Sequence, residues 1–598
     1  MGAKMHSRKI AAVLLHLVLS LALCALIACG GGGSSSSVPG SSDPPPAPAP
    51  PPNPTPSSVP STTSQYGQWS TLPYTLPINP VHAALLHTGK VLVLAGSGND
   101  PKNAFPINTN PDYEAAVWDP QAGKITTQRV SWDMFCNGMS LMQDGRVLIN
   151  GGTASYGSLA VVGGASDTPF TGLPNSAIFD PATETFSVAD GPNSGNTAHG
   201  RWYPTVTELG DGRMMTTSGL DENGNVNNTS EIYTPGQGWG AEIPGNPTGI
   251  TDPTFTFGFP LYPRMHLLPS GQVFYSAPSS ATLVFDPSKQ TWALLAWTIY
   301  GGPVAERTYG SSVLLPLTPA NNYDPKVMIL GGDNPATSTT EIIDLGQTSP
   351  AWQQGPPMAE PRVEMEATLL PSGKVLVSAG SAADEDPNTA SLKAELYDPA
   401  TNSFSSAGAN TIPRLYHNVQ LLLPDGTVFL AGGNPQQGVY ENRIELYKPA
   451  YLFNPDGSPA TRPVINSAPA SVAYASSFNV QTASPDIASI ILMKAGSVTH
   501  SFDMDQRFVG LTFTAASGGY SVNVPSNSNL LPPGYYMLFL VNKAGVPSIA
   551  KFVQVSGTVT AVAAISYKAR TTVPPYAVFR RQHVTESPLR MRNMMHIH

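Results

Sequence analysis

From about Tyr66 to Phe453 the chain repeats one two-part unit seven times. The first part is an apolar strand, a Gly turn and a second apolar strand ending in small residues. Examples are SLMQDGRVLINGG (140–152), HLLPSGQVFYSA (266–277), TLLPSGKVLVSAG (368–380) and VQLLLPDGTVFLAGG (419–433). The turn glycines are Gly89, Gly145, Gly212, Gly271, Gly373 and Gly426, and a longer loop before Lys326 replaces the turn in one unit. A turn that needs positive φ marks a hairpin. The second part is a short strand ending in a turn: VWDP (117–120), IFDP (178–181), IYTP (232–235), VFDP (284–287), IIDL (342–345), LYDP (396–399) and LYKP (446–449). Four-stranded units recurring every 50 to 65 residues or so predict a β-propeller of the kelch type. One such unit cannot bury its own face, so the ring must close. The segment YGQWSTLP (66–73) is a stray fourth strand, expected to complete the last blade.

Beyond the repeats the pattern changes. SSFNVQT, SIILMKAG, LTFTAA, YSVNV and YYMLFLVN alternate and are bounded by turns, which reads as an immunoglobulin-like β-sandwich. The fold class is therefore all-β, a seven-bladed propeller over 66–460 followed by a C-terminal sandwich over 461–557. Residues 558–598 carry six Lys/Arg against Glu586 alone and are expected to be a poorly ordered tail. At the other end Lys4, Arg8 and Lys9 precede an apolar run from Ile10 to Ala28 that closes on Leu-Ile-Ala-Cys29. This export signal resembles the bacterial lipoprotein signal, which predicts lipidation of Cys29, the alternative being an ordinary signal peptide with a chance cysteine. The Gly/Ser/Pro-rich stretch 30–65 reads as a tether. An exported, lipid-anchored protein of the bacterial cell envelope is expected, as a monomer. The net charge of −9 and the lack of a basic stripe in the core argue against nucleic acid as a partner.

Cys136 is the sole cysteine of the folded region, since Cys24 and Cys29 lie in the signal. A large exported protein usually has disulfides or no cysteine, so this thiol needs a reason. Counting back from the turn glycines supplies one. Cys136, Tyr203 and His417 each lie nine residues before theirs, with Tyr416 beside His417. Equal offsets on the innermost strands place these side chains at one level around the central channel. Imidazole and phenolate together favour Cu(II). Tyr262 and Glu364 share the offset, so position alone does not make a ligand. His82, His199 and His266 also fall near the mouth, and most of them are expected to be hydrogen-bonded structural residues.

At these residues the chain resembles the radical-copper oxidases, the galactose oxidase and glyoxal oxidase family. The matching stretches are MFCNG (134–138), GRWYP (200–204), RLYHNVQLLLPDGTVFLAGGNP (414–435), VTHSFDMDQRFVGLTF (498–513) and PPGYYMLFLVNKAGVPSIA (532–550). The resemblance covers about residues 66 to 555 and implies the same two-domain fold. It implies one copper ion and a protein-derived radical cofactor in which Cys136 is joined to Tyr203 by a thioether. Tyr203 would be an equatorial ligand and radical carrier, and Tyr416 the axial ligand and general base. His417 and His500 would be the imidazole ligands, His500 arriving on a loop of the sandwich. The implied reaction is two-electron oxidation of small aldehydes or primary alcohols, with O2 reduced to H2O2.

Galactose oxidase carries a tryptophan over its cross-link, eighteen residues after the bridged tyrosine; here that position is Asp221, and a ring from elsewhere in the chain could take the tryptophan's place. Only the tether precedes Tyr66, where galactose oxidase has a separate sugar-binding domain. Both departures lean toward glyoxal-oxidase-like substrates, with Asp221 expected to leave an open, polar pocket. The competing function is a non-catalytic kelch propeller that binds cell-envelope glycan or protein partners. A scaffold has no reason to hold all five of Cys136, Tyr203, Tyr416, His417 and His500.

Overall fold

The seven repeats form seven blades. The structure is a computed structural model that describes residues 61–97, 114–155, 169–250, 257–301, 306–434, 439–557, 567–568 and 570–571. The sequence-based expectations for the signal, for Cys29 and for most of the tether fall outside these residues. Blade one contains His82–Leu85, Val91–Gly96, Glu114–Asp119 and Lys124–Arg129. Blade two contains Gly138–Leu141, Val147–Asn150, Ser176–Asp180 and Thr185–Val188, and blade three starts at Thr205–Glu208. Blades four, five and six start at Arg264–Leu267, Ser311–Leu314 and Val363–Leu369. Blade seven is built from Asn418–Leu422, Val428–Gly432 and Arg443–Lys448, and its outer strand is Gln68–Thr75. The early segment thus closes the ring as expected, with Trp69 opposite Tyr447 and their rings stacked at 4.7 Å.

Local sequence explains the blades. Inner strands such as His82–Leu85 and Gly138–Leu141 are buried throughout, whereas the outer strand Lys124–Arg129 alternates between exposed and half-buried. In the inner hairpins Gly212 (φ 81) and Gly426 (φ 79) take the left-handed conformation that the tight turn requires. The preceding Asp211 and Asp425 accept from the backbone N–H two residues on, at 3.1 and 2.9 Å.

Four blades share a device that sequence inspection missed. Arg201, Arg307, Arg362 and Arg414 enter just before the inner strand and reach Glu231, Glu341, Glu395 and Glu445 on the third strand, at 2.8, 2.8, 3.3 and 3.1 Å. Each arginine also donates to backbone carbonyls. Removing one member of such a buried pair costs about 3–5 kcal/mol. The signal was present as a glutamate directly before IYTP, IIDL, LYDP and LYKP.

The C-terminal region forms a five-stranded sheet of Ser471–Ala473, Lys551–Ser556, Gly534–Asn542, Ile487–Lys494 and Arg507–Leu511. It packs with a three-stranded sheet of Ser477–Gln481, Gly519–Asn523 and Phe513–Ala516. The described residues of the propeller and the sandwich lie in one compact unit. His500 arrives as expected, on the connection between the paired sandwich strands Ile487–Lys494 and Arg507–Leu511. That connection is itself a hairpin, Ser497–Thr499 with Phe502–Asp503, and it pairs with blade one through Ala83↔Val498 and Ala84↔Ser497. Blade one thereby becomes a six-stranded sheet. The free inner edge of His82–Leu85 supplies the hydrogen-bonding groups that attract it. Four residues of the tail are described, and hydrogen bonds tie this part to the propeller. Tyr567 Oη donates to Leu345 O at 2.8 Å, and Arg570 N donates to Leu294 O at 3.0 Å.

Candidate metal centre

Every blade from two to seven sends one residue of positive φ to the channel mouth. These are Cys136 (φ 62), Tyr203 (φ 67), Tyr262 (φ 45), Tyr309 (φ 50), Glu364 (φ 64) and His417 (φ 62). Non-glycine residues avoid this region, so the fold holds a ring of strained positions that together aim side chains inward. Backbone bonds connect them. Tyr203 N donates to Cys136 O at 2.9 Å, Tyr262 N to Tyr203 O at 2.8 Å, and Glu364 N to Tyr309 O at 3.0 Å. Asn418 Nδ2 donates to Glu364 O at 2.7 Å, extending the ring to the blade of His417.

His500 completes the set from the added hairpin. His500 (φ 47) and Ser501 (φ 68) are the two central residues of that hairpin, and two positive φ values mark a I′-type turn. Arg264 Nη2 donates to His500 O at 2.9 Å and fixes the turn.

The sequence-predicted residues converge. The Tyr203 and Tyr416 hydroxyls are in direct hydrogen-bond contact. Tyr416 Oη lies 3.2 Å from His500 Nε2, and the Tyr416 and His417 rings stack at 3.7 Å. Cys136 Sγ and a ring nitrogen of each of His417 and His500 lie within 4.8 Å of one another. All are buried, with Cys136 and Tyr203 at 0% and His417, the most open, at 5% exposure.

Both imidazoles are prepared as ligands. Thr499 Oγ1 has one proton and gives it to Val81 O at 2.9 Å. Its 2.6 Å contact with His500 Nδ1 must then run from Nδ1–H to the hydroxyl, which leaves Nε2 a bare lone pair. His417 Nε2 is buried and has no hydrogen-bond partner among the described residues. Asn434 lies 3.5 Å from His417 Nδ1, and its Oδ1 also lacks a partner there. Turning that amide lets Oδ1 accept from Nδ1–H and frees Nε2 for a ligand. Burial holds both imidazolium pKa values well below the usual range, reinforced by neighbouring histidines, His82 among them, so both rings are neutral. Two neutral imidazoles and two phenols form a nitrogen-and-oxygen set that fits a divalent copper ion.

Asp221 is engaged in its own loop rather than aimed at the ring of Tyr203. Asp221 Oδ1 accepts from the N–H groups of Asn223 and Asn225, both at 2.8 Å, and so caps its own turn. The ring over Tyr203 is Trp202, its neighbour in sequence, at 3.9 Å and 10°. Trp202 pairs through its backbone with Leu220, which brings the segment containing Asp221 alongside but leaves the stacking position to the indole. Trp202 stood in the sequence within GRWYP. An inverted αL residue throws adjacent side chains together, and residue spacing does not report that. Among the other histidines, His266 Nε2 bonds Ser312 Oγ at 2.7 Å and His199 Nδ1 meets Glu222 at 2.9 Å, as structural residues do. His82 is buried with neither ring nitrogen bonded among the described residues.

Comparison with known proteins agrees with this geometry. Residues 114–451 match the family described as glyoxal oxidase N-terminus, and 462–555 match the galactose oxidase-like early set domain. The chain is 29% identical over 518 residues to a galactose oxidase of Gibberella zeae, covering 82% of this chain and 71% of that one. It is 28% identical over 537 residues to the aldehyde oxidase GLOX of Vitis pseudoreticulata, covering 82% of this chain and 97% of the relative. A solved fungal alcohol oxidase of the AA5 family, in complex with copper, superposes with a TM-score of 0.68 at 24% identity, over 82% of this chain and all of that one, and shows the common fold. The match to the glyoxal oxidase model spans more than half of the chain and coincides with the propeller that carries Cys136, Tyr203, Tyr416 and His417, so this chain belongs to the glyoxal oxidase family.

Proposed function

We propose that the protein is a copper-radical oxidase that oxidises small aldehydes, as hydrates, or primary alcohols and reduces O2 to H2O2. The observation that carries this reading is the convergence of Tyr203, Tyr416, His417 and His500 beside Cys136 in one buried site. His417 Nε2 and His500 Nε2 would hold the metal together with the two phenol oxygens. When bound, copper supplies a Lewis-acid anchor for the substrate oxygen and one of the two one-electron acceptors the reaction needs.

The chain's own residues do the rest. Tyr416 Oη takes the hydroxyl proton of the substrate, at a position 3.2 Å from His500 Nε2. Tyr203, oxidised beforehand by one electron, takes the hydrogen atom from the substrate carbon at its phenolic oxygen. A thioether from Cys136, its neighbour through the 2.9 Å backbone bond, makes that ring easier to oxidise. The overall balance is an alcohol plus O2 giving an aldehyde plus H2O2, or a hydrate plus O2 giving an acid plus H2O2. Metal donors at no more than 5% exposure favour molecules of a few carbons. The aldehyde oxidase relative, matched over 97% of its length, supports the same preference. The protein is exported and lipid-anchored at Cys29 in a bacterial cell envelope, a reading supported by the signal and tether composition.

A peroxidase-coupled assay on methylglyoxal, glyoxal, glycerol and galactose tests the function. Copper-loaded protein, oxidised by one electron, is expected to produce peroxide fastest from an aldehyde. Galactose as the best substrate by kcat/KM would reject the substrate class. No peroxide from any of them would reject the oxidase reading.

A further inference from the structure

Tyr203 is covered on both faces. Trp202 stacks on it at 3.9 Å and 10°, and Tyr262 at 4.6 Å and 27°. Two rings this close and this parallel to a third cannot share one face, so they lie on opposite faces. Phe170 continues the stack beyond Trp202 at 4.5 Å and 14°.

Tyr262 is tied as firmly as the ring it covers. Its hydroxyl donates to Asn137 O at 2.8 Å, one residue from Cys136. Its backbone N donates to Tyr203 O at 2.8 Å, and Arg264 Nη1 donates to its carbonyl at 2.6 Å. Its ring lies 4.5 Å from that of His500 and is 2% exposed. It therefore touches the second face of Tyr203 and a candidate ligand imidazole together, with no room for water between.

We propose that Tyr262 is a positioning residue that clamps Tyr203 against Trp202 and confines the oxidised state to Tyr203. The inference rests on the redox role of Tyr203 argued above. Oxidation of a neutral tyrosine removes an electron and requires its phenolic proton to leave. The hydroxyl of Tyr262 faces a carbonyl, a poor base, whereas that of Tyr203 faces Tyr416 Oη. Tyr262 thus supplies a polarisable face without becoming the radical itself. With both faces of Tyr203 covered, substrate and reductants reach it only at the edge bearing the hydroxyl.

The test uses the full copper-loaded protein with ferricyanide as the one-electron acceptor. The radical's electron-spin signature and its lifetime without substrate are followed in the unaltered protein, Tyr262→Met and Tyr262→Phe. Tyr262→Met keeps the volume and removes the ring. It is expected to shorten the lifetime by about two- to tenfold, the range one aromatic pair carries. Tyr262→Phe restores the face and is expected to keep the lifetime within about twofold. A Tyr262→Met protein that folds, binds copper and has an unchanged lifetime would overturn the clamp.

A second measurement needs no disruptive variant. The unaltered protein is expected to show only the hyperfine pattern of a sulfur-substituted ring. An additional pattern of plain tyrosine that vanishes in Tyr262→Phe would overturn the confinement. If the unaltered protein shows neither the mass loss of cross-linking nor any radical, the redox reading of Tyr203 fails first, and this inference with it.

Discussion

Replacing Thr499 by valine removes one hydroxyl and keeps the shape of the side chain. Thr499 is 1% exposed, and its hydroxyl accepts from His500 Nδ1–H at 2.6 Å and donates to Val81 O at 2.9 Å. The substitution leaves both groups buried and unsatisfied. At about 1–3 kcal/mol for each, the protein without metal should lose roughly 2–6 kcal/mol of stability. The metal centre should suffer separately. Without its acceptor at Nδ1, His500 is free to turn and to present either nitrogen. Losing an outer hydrogen bond of this kind typically weakens metal affinity about 10- to 100-fold. This corresponds to about 1.4–2.8 kcal/mol less stabilisation by copper at a fixed excess of metal. Chelator competition gives the affinity, and melting with and without copper gives the linked stability. Thr499→Ser keeps the hydroxyl and is expected to bind copper as the unaltered protein does. A folded Thr499→Val protein with unchanged copper affinity would refute the assignment of His500 Nε2 as the ligand atom.

Three further outcomes are expected. Glu208 is buried against Lys494, which also serves Asp505 at 2.9 Å, and burial pushes its pKa from 4.5 up to about 7. A raised carboxyl pKa contributes stability that is complete below pH 4.5 and lost as the pH rises through 7. Denaturant unfolding at pH 5 and pH 8 should show lower stability at pH 8 from this group, and Glu208→Gln should remove that difference; equal pH dependence in both proteins would contradict it. Copper loading in air should lower the intact mass by about 2 Da through loss of two hydrogens, and Cys136→Ser should abolish that change while copper stays bound; an unchanged mass in the unaltered protein would exclude the thioether. Cys29→Ser should move the exported protein from the membrane to the soluble fraction, and continued membrane association after normal export would exclude lipid attachment there.

Much of the architecture was legible in the residues because a propeller is a translational repeat written along the chain. Each Gly-turn hairpin and each short strand is a local signal, so the blade number and the closing role of Gln68–Thr75 follow from counting. The same counting placed Cys136, Tyr203 and His417 at one level, because equal offsets in equivalent blades are equal heights in the ring. The Arg–Glu pairs have a trace in the chain, a glutamate recurring before the third-strand motif of four blades, but which arginine each one meets depends on the register of the closed blade.

Other features had no local trace. His500 reaches the centre on a hairpin that adds to blade one, and Thr499 anchors to Val81, 418 residues away. Pairing between an exposed strand edge and a distant segment depends on where closure of the ring leaves that edge, and no periodicity encodes it. Trp202 stands beside Tyr203 in the chain, yet nothing local marks it as the ring that takes the place left by Asp221. The positive φ of Tyr203 determines which neighbouring side chain lies over its ring, and that angle is imposed by the surrounding blades. Repeat, blade count and the level of the donors were thus determined by the sequence alone. The second face of Tyr203, the tautomer of His500 and the route of its hairpin were decided by contacts between segments that only tertiary closure brings together.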